Sequence, residues 1–260
     1  MLHILMIGDI VGKPGRKAVK AFLKSNKDKY DFIIANGENS AGGNGITQEI
    51  VNEFYDDYID VITMGNHVWD KKDILQFIEH EPSLIRPANY PPGTPGRGSN
   101  VIRIDNNIKI GVINLSGRIF LPPLECPFRA AEGIVKTMRK ETPIIIVDFH
   151  GEATSEKMAF GWFMDGKVSA VLGTHTHVQT ADERVLPEGT GYITDVGMTG
   201  PRNSILGVDK EKVINKFLTQ MPVRFEIATG EAQINGVSLE IDERTGKCTC
   251  IERIQGFYNT

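Results

Sequence analysis

The chain holds 260 residues, 40% hydrophobic and 24% charged, with a net charge of −4. That composition can bury one large core or two small ones, and the lack of a basic footprint argues against stable binding of duplex nucleic acid. No run approaches the roughly 20 apolar residues of a transmembrane helix, and residues 1–9 lack the basic start and small-residue cleavage site of a signal peptide. A cytoplasmic protein without a membrane partner is expected. The three cysteines, Cys126, Cys248 and Cys250, show no framework spacing and fit a reducing compartment. Cys248 and Cys250 sit two apart, as half-buried strand residues do, and a zinc site would need two more partners.

In chain order, the first expected strand is 3–7, closed by Gly8-Asp9. A second, 32–35, runs into Asn36-Gly37-Glu38-Asn39. Thr47 then stands as the cap of a helix whose Ile50, Val51, Phe54 and Tyr58 make an amphipathic stripe. Strand 61–64 leads to Gly65-Asn66-His67, and 71–80 reads as a helix. Residues 82–127 are rich in Pro and Gly and hold two alternating runs, 101–104 and 108–114, expected as a hairpin. A helix at 129–139 precedes strand 144–149, which ends in His150-Gly151-Glu152. A helix at 155–164, capped by Ser155, precedes strand 168–172 and Gly173-Thr174-His175-Thr176-His177. Beyond about residue 182 the pattern turns antiparallel, with strands at 191–194, 223–228, 233–241 and 247–254, a turn at Gly246 and one helix at 210–218. Strand–helix repetition of this kind predicts an α/β fold built from right-handed crossovers, with residues 1–260 as a single domain.

The chemistry lies just past the strand ends. In open α/β sheets ligands bind beyond the carboxyl ends of the strands, so the five polar clusters are expected on one rim of one sheet. Asp9, Glu38, Asn39, Asn66, His150, His175 and His177 supply seven candidate metal ligands there. Imidazoles mixed with carboxylate and amide oxygens suit Fe, Mn, Zn or Co, and no thiolate joins them. One catalytic ion needs about three protein ligands, so two ions sharing a bridging carboxylate, Glu38, fit better. Such ions sit about 3.5–4 Å apart and yield a hydroxide that attacks phosphorus in line. His67, next to the neutral ligand Asn66, is the candidate proton donor, since an imidazole keeps both protonation states available near neutral pH. A hydrogen bond from His67 to a nearby carboxylate is the alternative. His3 and His80 read as structural. The glycine-rich stretch Ala41-Gly42-Gly43-Asn44-Gly45 is a candidate anion nest.

Gly8-Asp9, Gly65-Asn66-His67 and Gly173-Thr174-His175-Thr176-His177 resemble the GD, GNH and GHTH blocks of the calcineurin-like metallophosphoesterases. The longer strings Gly8-Asp9-Ile10-Val11-Gly12, Asn36-Gly37-Glu38-Asn39-Ser40-Ala41-Gly42-Gly43 and Thr174-His175-Thr176-His177-Val178-Gln179-Thr180-Ala181-Asp182 look like the bacterial YmdB-type subgroup. The resemblance spans essentially the whole chain. It implies a four-layer α/β/β/α sandwich and a phosphodiesterase acting on small phosphodiesters, including 2′,3′-cyclic nucleotides. The implied cofactor is a pair of transition-metal ions, Fe first, with Mn or Zn as alternatives. Carried over residue by residue, Asp9, Glu38, Asn39 and His177 would hold one ion. Glu38, Asn66, His150 and His175 would hold the other, with His67 donating the proton. One departure stands out: the wider superfamily carries Asp-x-His in its first block, whereas Asp9-Ile10-Val11 has no histidine. Asn39 can fill the vacated position, which makes that site harder and richer in oxygen. Three matters stay open at this level: a regulatory protein with little turnover, a scaffold with structural metal, and assembly into a homo-oligomer. A spare acid–base group such as His67 argues against structural metal alone.

Overall fold

The computed structural model describes residues 1–104 and 108–259. It is a mixed α/β structure of two sheets with helices packed against them. The first sheet takes β1 (Leu2–Ile7), β2 (Asp9–Ile10), β3 (Phe32–Asn36), β4 (Val61–Thr63), β5 (Leu84–Ile85), β12 (Met198–Pro201), β13 (Glu231–Ile241) and β14 (Cys248–Asn259). Its order is β2-β12-β13-β1-β3-β4-β5, with β14 also paired to β13. The second sheet takes β6 (Ser99–Arg103), β7 (Lys109–Ser116), β8 (Ile145–His150), β9 (Ala170–Thr174), β10 (Arg184–Val185) and β11 (Gly191–Ile193), in the order β10-β11-β9-β8-β7-β6. Strands β1, β3, β4 and β5 run parallel, as do β7, β8, β9 and β11, so each group presents its carboxyl ends along one edge.

Three apolar clusters hold these elements, and strand alternation sorts residues among them. Leu5, Ile7, Ile33 and Ala35 face Val19, Phe22 and Leu23 of α1 (Gly12–Asn26) and Ile50, Val51 and Phe54 of α2 (Gln48–Asp56). Their neighbours Ile4, Met6, Phe32 and Ile34 meet Ile110, Val112, Ile146 and Leu172 of the other sheet. The remaining face of that sheet, with Ile113, Ile145, Val147 and Phe149, covers α3 (Pro127–Met138) and α4 (Thr154–Met164). Burial on both faces explains why these strands read as continuous apolar runs. Each fully buried aliphatic or aromatic side chain contributes roughly 1.5–3 kcal/mol. The last helix, α5 (Lys210–Thr219), is capped by Asp209, whose carboxylate accepts from the Lys212 N–H at 3.2 Å.

Several expectations change. The polar clusters belong to two sheets: three follow β1, β3 and β4, and two follow β8 and β9. The 101–104 and 108–114 runs form the β6–β7 hairpin, with residues between them outside the described set. Residues 71–80 make two 3-10 turns, Lys72–Gln76 and Ile78–His80, because the three-residue spacing of Ile74 and Phe77 serves that helix equally well. Helix α2 stops at Asp56, leaving Tyr58 outside the stripe, exposed and at φ +69°. Helix α4 begins one residue before Ser155, whose side chain makes no cap bond. β11 pairs with β9 in parallel, not antiparallel, and residues 223–228 form no strand. Helix α1 is not among the helices expected from the apolar pattern.

Candidate metal centre

The carboxyl edges of the two sheets meet, and the chain there is shaped to carry side chains inward. Asp9 opens β2 directly beyond β1, the loop after β3 carries Glu38 and Asn39, and the loop after β4 carries Asn66 and His67. From the second sheet β8 ends on His150, and β9 leads into His175 and His177. Asp9, Glu38, Asn39 and His150 are almost wholly buried. Polar groups shut away like this are stable only with partners.

Those partners converge on one nitrogen. His150 Nε2 lies 3.0 Å from Glu38 Oε1, 3.0 Å from Asn66 Oδ1 and 3.0 Å from His175 Nδ1. The ligand atoms of Glu38, His150 and His175 all fall within 4.8 Å of one another. A ring nitrogen carries at most one proton, so no tautomer satisfies three acceptors at once. A cation among these lone pairs satisfies all of them. The opposite ring nitrogen fixes the orientation: His150 Nδ1 sits 2.9 Å from Thr174 Oγ1, and that hydroxyl donates to Asp148 Oδ1 at 2.6 Å. The hydroxyl proton is therefore spent, Nδ1–H is the donor, and the Nε2 lone pair faces inward. His175 is arranged likewise, with Nε2 3.1 Å from Glu152 and Nδ1 towards His150.

Two orphaned oxygens lie beside this cluster. Asp9 Oδ1 and Asn39 Oδ1 are buried and make no hydrogen bond. The Asn39 amide nitrogen is already committed to the Gly43 carbonyl at 2.9 Å, which turns Oδ1 into the available ligand atom. Asp9 Oδ2 accepts from the His175 N–H at 3.2 Å. His177 lies on the same cleft, its Nδ1 3.3 Å from the Leu206 carbonyl. Gly65 belongs to the cradle as well: a Cβ there would stand 2.3 Å from both Glu38 Oε2 and His150 Nε2.

Charge is distributed as a cation site requires. Burial pushes the Asp9 carboxyl up to about 8, against the pull of His150. Burial also opposes ionisation of Glu38, but the charge and hydrogen bond of His150 hold it down at about 2. Burial works against charge on His150 too, yet Glu38 and Asp9 raise it to about 9. His175 is kept neutral, pushed down to about 3 by burial and by His150. With carboxylates and imidazoles packed this closely, an ion supplies the positive charge that the protein otherwise finds by holding protons.

Glu38, Asn66 and His175 thus converge on His150, Asp9 meets the His175 backbone, and Asn39, His177 and His67 line the same cleft. His67 donates its backbone N–H to Glu38 Oε2 at 3.0 Å, and its Nδ1 is 2.9 Å from Asp70 Oδ2, the carboxylate contact expected as the alternative. Asp70 also accepts from Asn44. In the glycine-rich loop the N–H groups of Ala41, Gly43 and Gly45 bond to carbonyls within the segment 38–45. They shape the loop around Glu38 and Asn39, and those three amides are not free for an anion.

Sequence reasoning missed the groups behind the candidate ligands. Asp148 accepts from Thr174, Thr63 and Asn36, and Lys157 pairs with Asp195 deep in the protein. The signal was present in a carboxylate interrupting the apolar run 144–149.

Paired sheets carrying a histidine, carboxylate and amide donor set at their joint edge define an α/β protein with a group of side chains able to hold a metal ion. A family model described as YmdB-like protein matches residues 5–254, so the chain belongs to the YmdB-like family. It is 54% identical over 255 residues to a 2′,3′-cyclic-nucleotide 2′-phosphodiesterase of Bacillus subtilis, an alignment covering 97% of this chain and 96% of that one. Two crystal structures superpose closely. A hypothetical protein from Thermus thermophilus gives a TM-score of 0.93 at 40% identity, covering 98% of this chain and 99% of that one. A phosphatase from Mycoplasma pneumoniae gives 0.92 at 37% identity, covering 99% and 94%.

Proposed function

We propose that this chain is a dinuclear-metal-dependent phosphodiesterase that hydrolyses small phosphodiesters such as 2′,3′-cyclic nucleotides. The observation that carries the reading is the convergence of Glu38, Asn66 and His175 on His150 Nε2, each at 3.0 Å, with the orphaned oxygens of Asp9 and Asn39 alongside. Asp9, Glu38, Asn39 and His177 hold one ion, and Glu38, Asn66, His150 and His175 hold the second. The 54% identical relative from Bacillus subtilis bears a name that supports the substrate class. Bound there, two such ions supply Lewis-acid charge for phosphoryl oxygens and a lowered pKa for water.

The protein's own contribution is placement. Glu38 spans the centre, with one oxygen towards His150 and the other receiving the His67 N–H. Asp70 holds His67 through Nδ1, which fixes the ring and leaves Nε2 as the nitrogen that hands a proton to the departing ester oxygen. Thr174 and Asp148 fix the tautomer of His150, and Glu152 fixes that of His175. Val11, where the wider superfamily places a histidine, lines the cleft with an apolar side chain.

The test is hydrolysis of 2′,3′-cyclic AMP by protein loaded with Mn²⁺ or Fe²⁺, with and without a chelator. Turnover that disappears on chelation and returns with metal supports the reading. Turnover indifferent to chelation contradicts it.

A further inference from the structure

The cleft that holds the donor set extends away from it, with a volume of about 590 Å³, within the usual range for small-molecule sites. One wall carries the donors. Leu206, Val208, Phe225 and Ile227 line it as apolar groups. Phe225 is the phenylalanine of this lining and is 51% exposed. Other phenylalanines are more exposed, Phe120 and Phe217 among them, but they do not line the cleft.

Phe225 stands in the 223–228 segment, whose apolar residues suggest a strand. The segment is instead pinned just after Phe225, through residues 226–228. The Asp209 N–H donates to the Glu226 carbonyl at 2.9 Å, and the Ala228 N–H donates to the Gly207 carbonyl at 3.0 Å. Val208 and Ile227 form an isolated antiparallel bridge. The neighbouring Glu226 carboxylate is engaged by Lys212 at 2.6 Å, which neutralises the charge next to the ring. An aromatic face on a tethered backbone, left half in water and opening onto a phosphate-handling centre, is a surface made for a flat aromatic group. Anchoring the backbone beforehand lowers the ordering cost of binding.

We infer that Phe225 is the stacking platform for the substrate's nucleobase, and so a specificity-determining residue. This rests on the phosphodiesterase reading and adds the part of the substrate that the metal ligands do not touch. Stacking a base on an aromatic side chain is worth roughly 1–3 kcal/mol by alanine substitution, or about 5- to 150-fold in affinity.

The experiment compares 2′,3′-cyclic AMP with methyl riboside 2,3-cyclic phosphate, which has the same ester and no base. Phe225→Ala is expected to lower kcat/KM on the nucleotide by about 5- to 150-fold, mainly through KM, and to leave the base-free substrate within about twofold. Phe225→Trp is expected to restore the nucleotide value. Calorimetry gives an independent reading: binding of 3′-AMP weakens in Phe225→Ala, while binding of inorganic phosphate does not. Equal losses on both substrates, or an unchanged 3′-AMP affinity, overturn the inference. If the wild-type protein hydrolyses neither substrate but its 3′-AMP affinity still depends on Phe225, the phosphodiesterase reading fails and the base platform stands.

Discussion

Lys157 Nζ lies 2.6 Å from Asp195 Oδ2, with both side chains shut off from solvent, and the pair brackets His175. On one side Lys157 donates to the Thr174 carbonyl at 2.7 Å, and on the other Asp195 accepts from the Thr176 N–H at 3.0 Å. Between these anchors His175 adopts φ +102°, and just beyond them His177 adopts φ +65°, conformations that non-glycine residues keep only when their surroundings impose them. Replacing Lys157 with Met removes the donor and leaves Asp195 buried and unpaired, which costs about 3–5 kcal/mol. Metal affinity of the folded protein is expected to drop about 10–100-fold, the usual effect of losing a partner that orients a ligand. A competitive Mn²⁺ titration checks it. Unchanged affinity in the folded fraction would reduce the pair to a packing role.

Gly65 is small for a reason of space. A methyl group there meets Glu38 Oε2 and His150 Nε2 at 2.3 Å, and the residue does not need a left-handed backbone. Gly65→Ala should therefore fold, lose metal and lose at least about 10²-fold in activity, as ångström-scale displacement of a catalytic group does. Elemental analysis beside circular dichroism separates the two effects. Full metal content in the variant would show that the cradle lies elsewhere.

If His67 protonates the leaving oxygen, His67→Ala keeps its metal and slows alkoxide-leaving substrates by about 10²–10⁴-fold. A diester that expels p-nitrophenolate needs little protonation and should suffer much less. Asp70→Asn should give a weaker version of the same contrast, since the carboxylate 2.9 Å from Nδ1 holds the ring. Equal losses on both leaving groups would assign His67 to substrate positioning.

Removal of metal should make stability depend on pH with a definite sign. In the metal-free fold Asp9 is pushed up to about 8 by burial, and His150 is raised to about 9 by Glu38 and Asp9 in spite of burial. Both groups then hold protons that the unfolded chain, with ordinary values near 3.9 and 6.5, has released. Stability from these protons is present at low pH and lost as pH rises through about 8 to 9. Glu38, held near 2, has the opposite sign, and its contribution is lost only as pH falls below the ordinary carboxylate range. Melting temperatures of metal-free protein should decline from pH 6 to pH 9.5, and metal should remove most of that slope because the ligands bind deprotonated. Parallel slopes with and without metal would sink this prediction.

The candidate ligands are legible in the sequence because a parallel strand reveals its carboxyl end: an apolar run stops, and Asp9, Glu38, Asn66, His150 or His175 comes within a few residues of it. Strand direction leaves no such trace, so β11 reads as antiparallel and the two sheets read as one. Residues 223–228 resemble a strand because Phe225 and Ile227 are apolar and alternate, yet these two line a cleft and not a sheet. Asp148, Lys157 and Asp195 act from within buried elements, across up to 38 positions of chain for the Lys157–Asp195 pair. No local pattern joins residues so far apart.

Metal stoichiometry decides between one centre and two. Protein purified from metal-replete cells without a chelating step should carry close to two Fe, Mn or Zn ions per chain. Glu38→Ala should lose both, and His177→Ala chiefly one, since in the proposed centre Glu38 alone is shared. One ion per chain in fully active wild-type protein, or two ions retained by Glu38→Ala, would contradict the bridged centre.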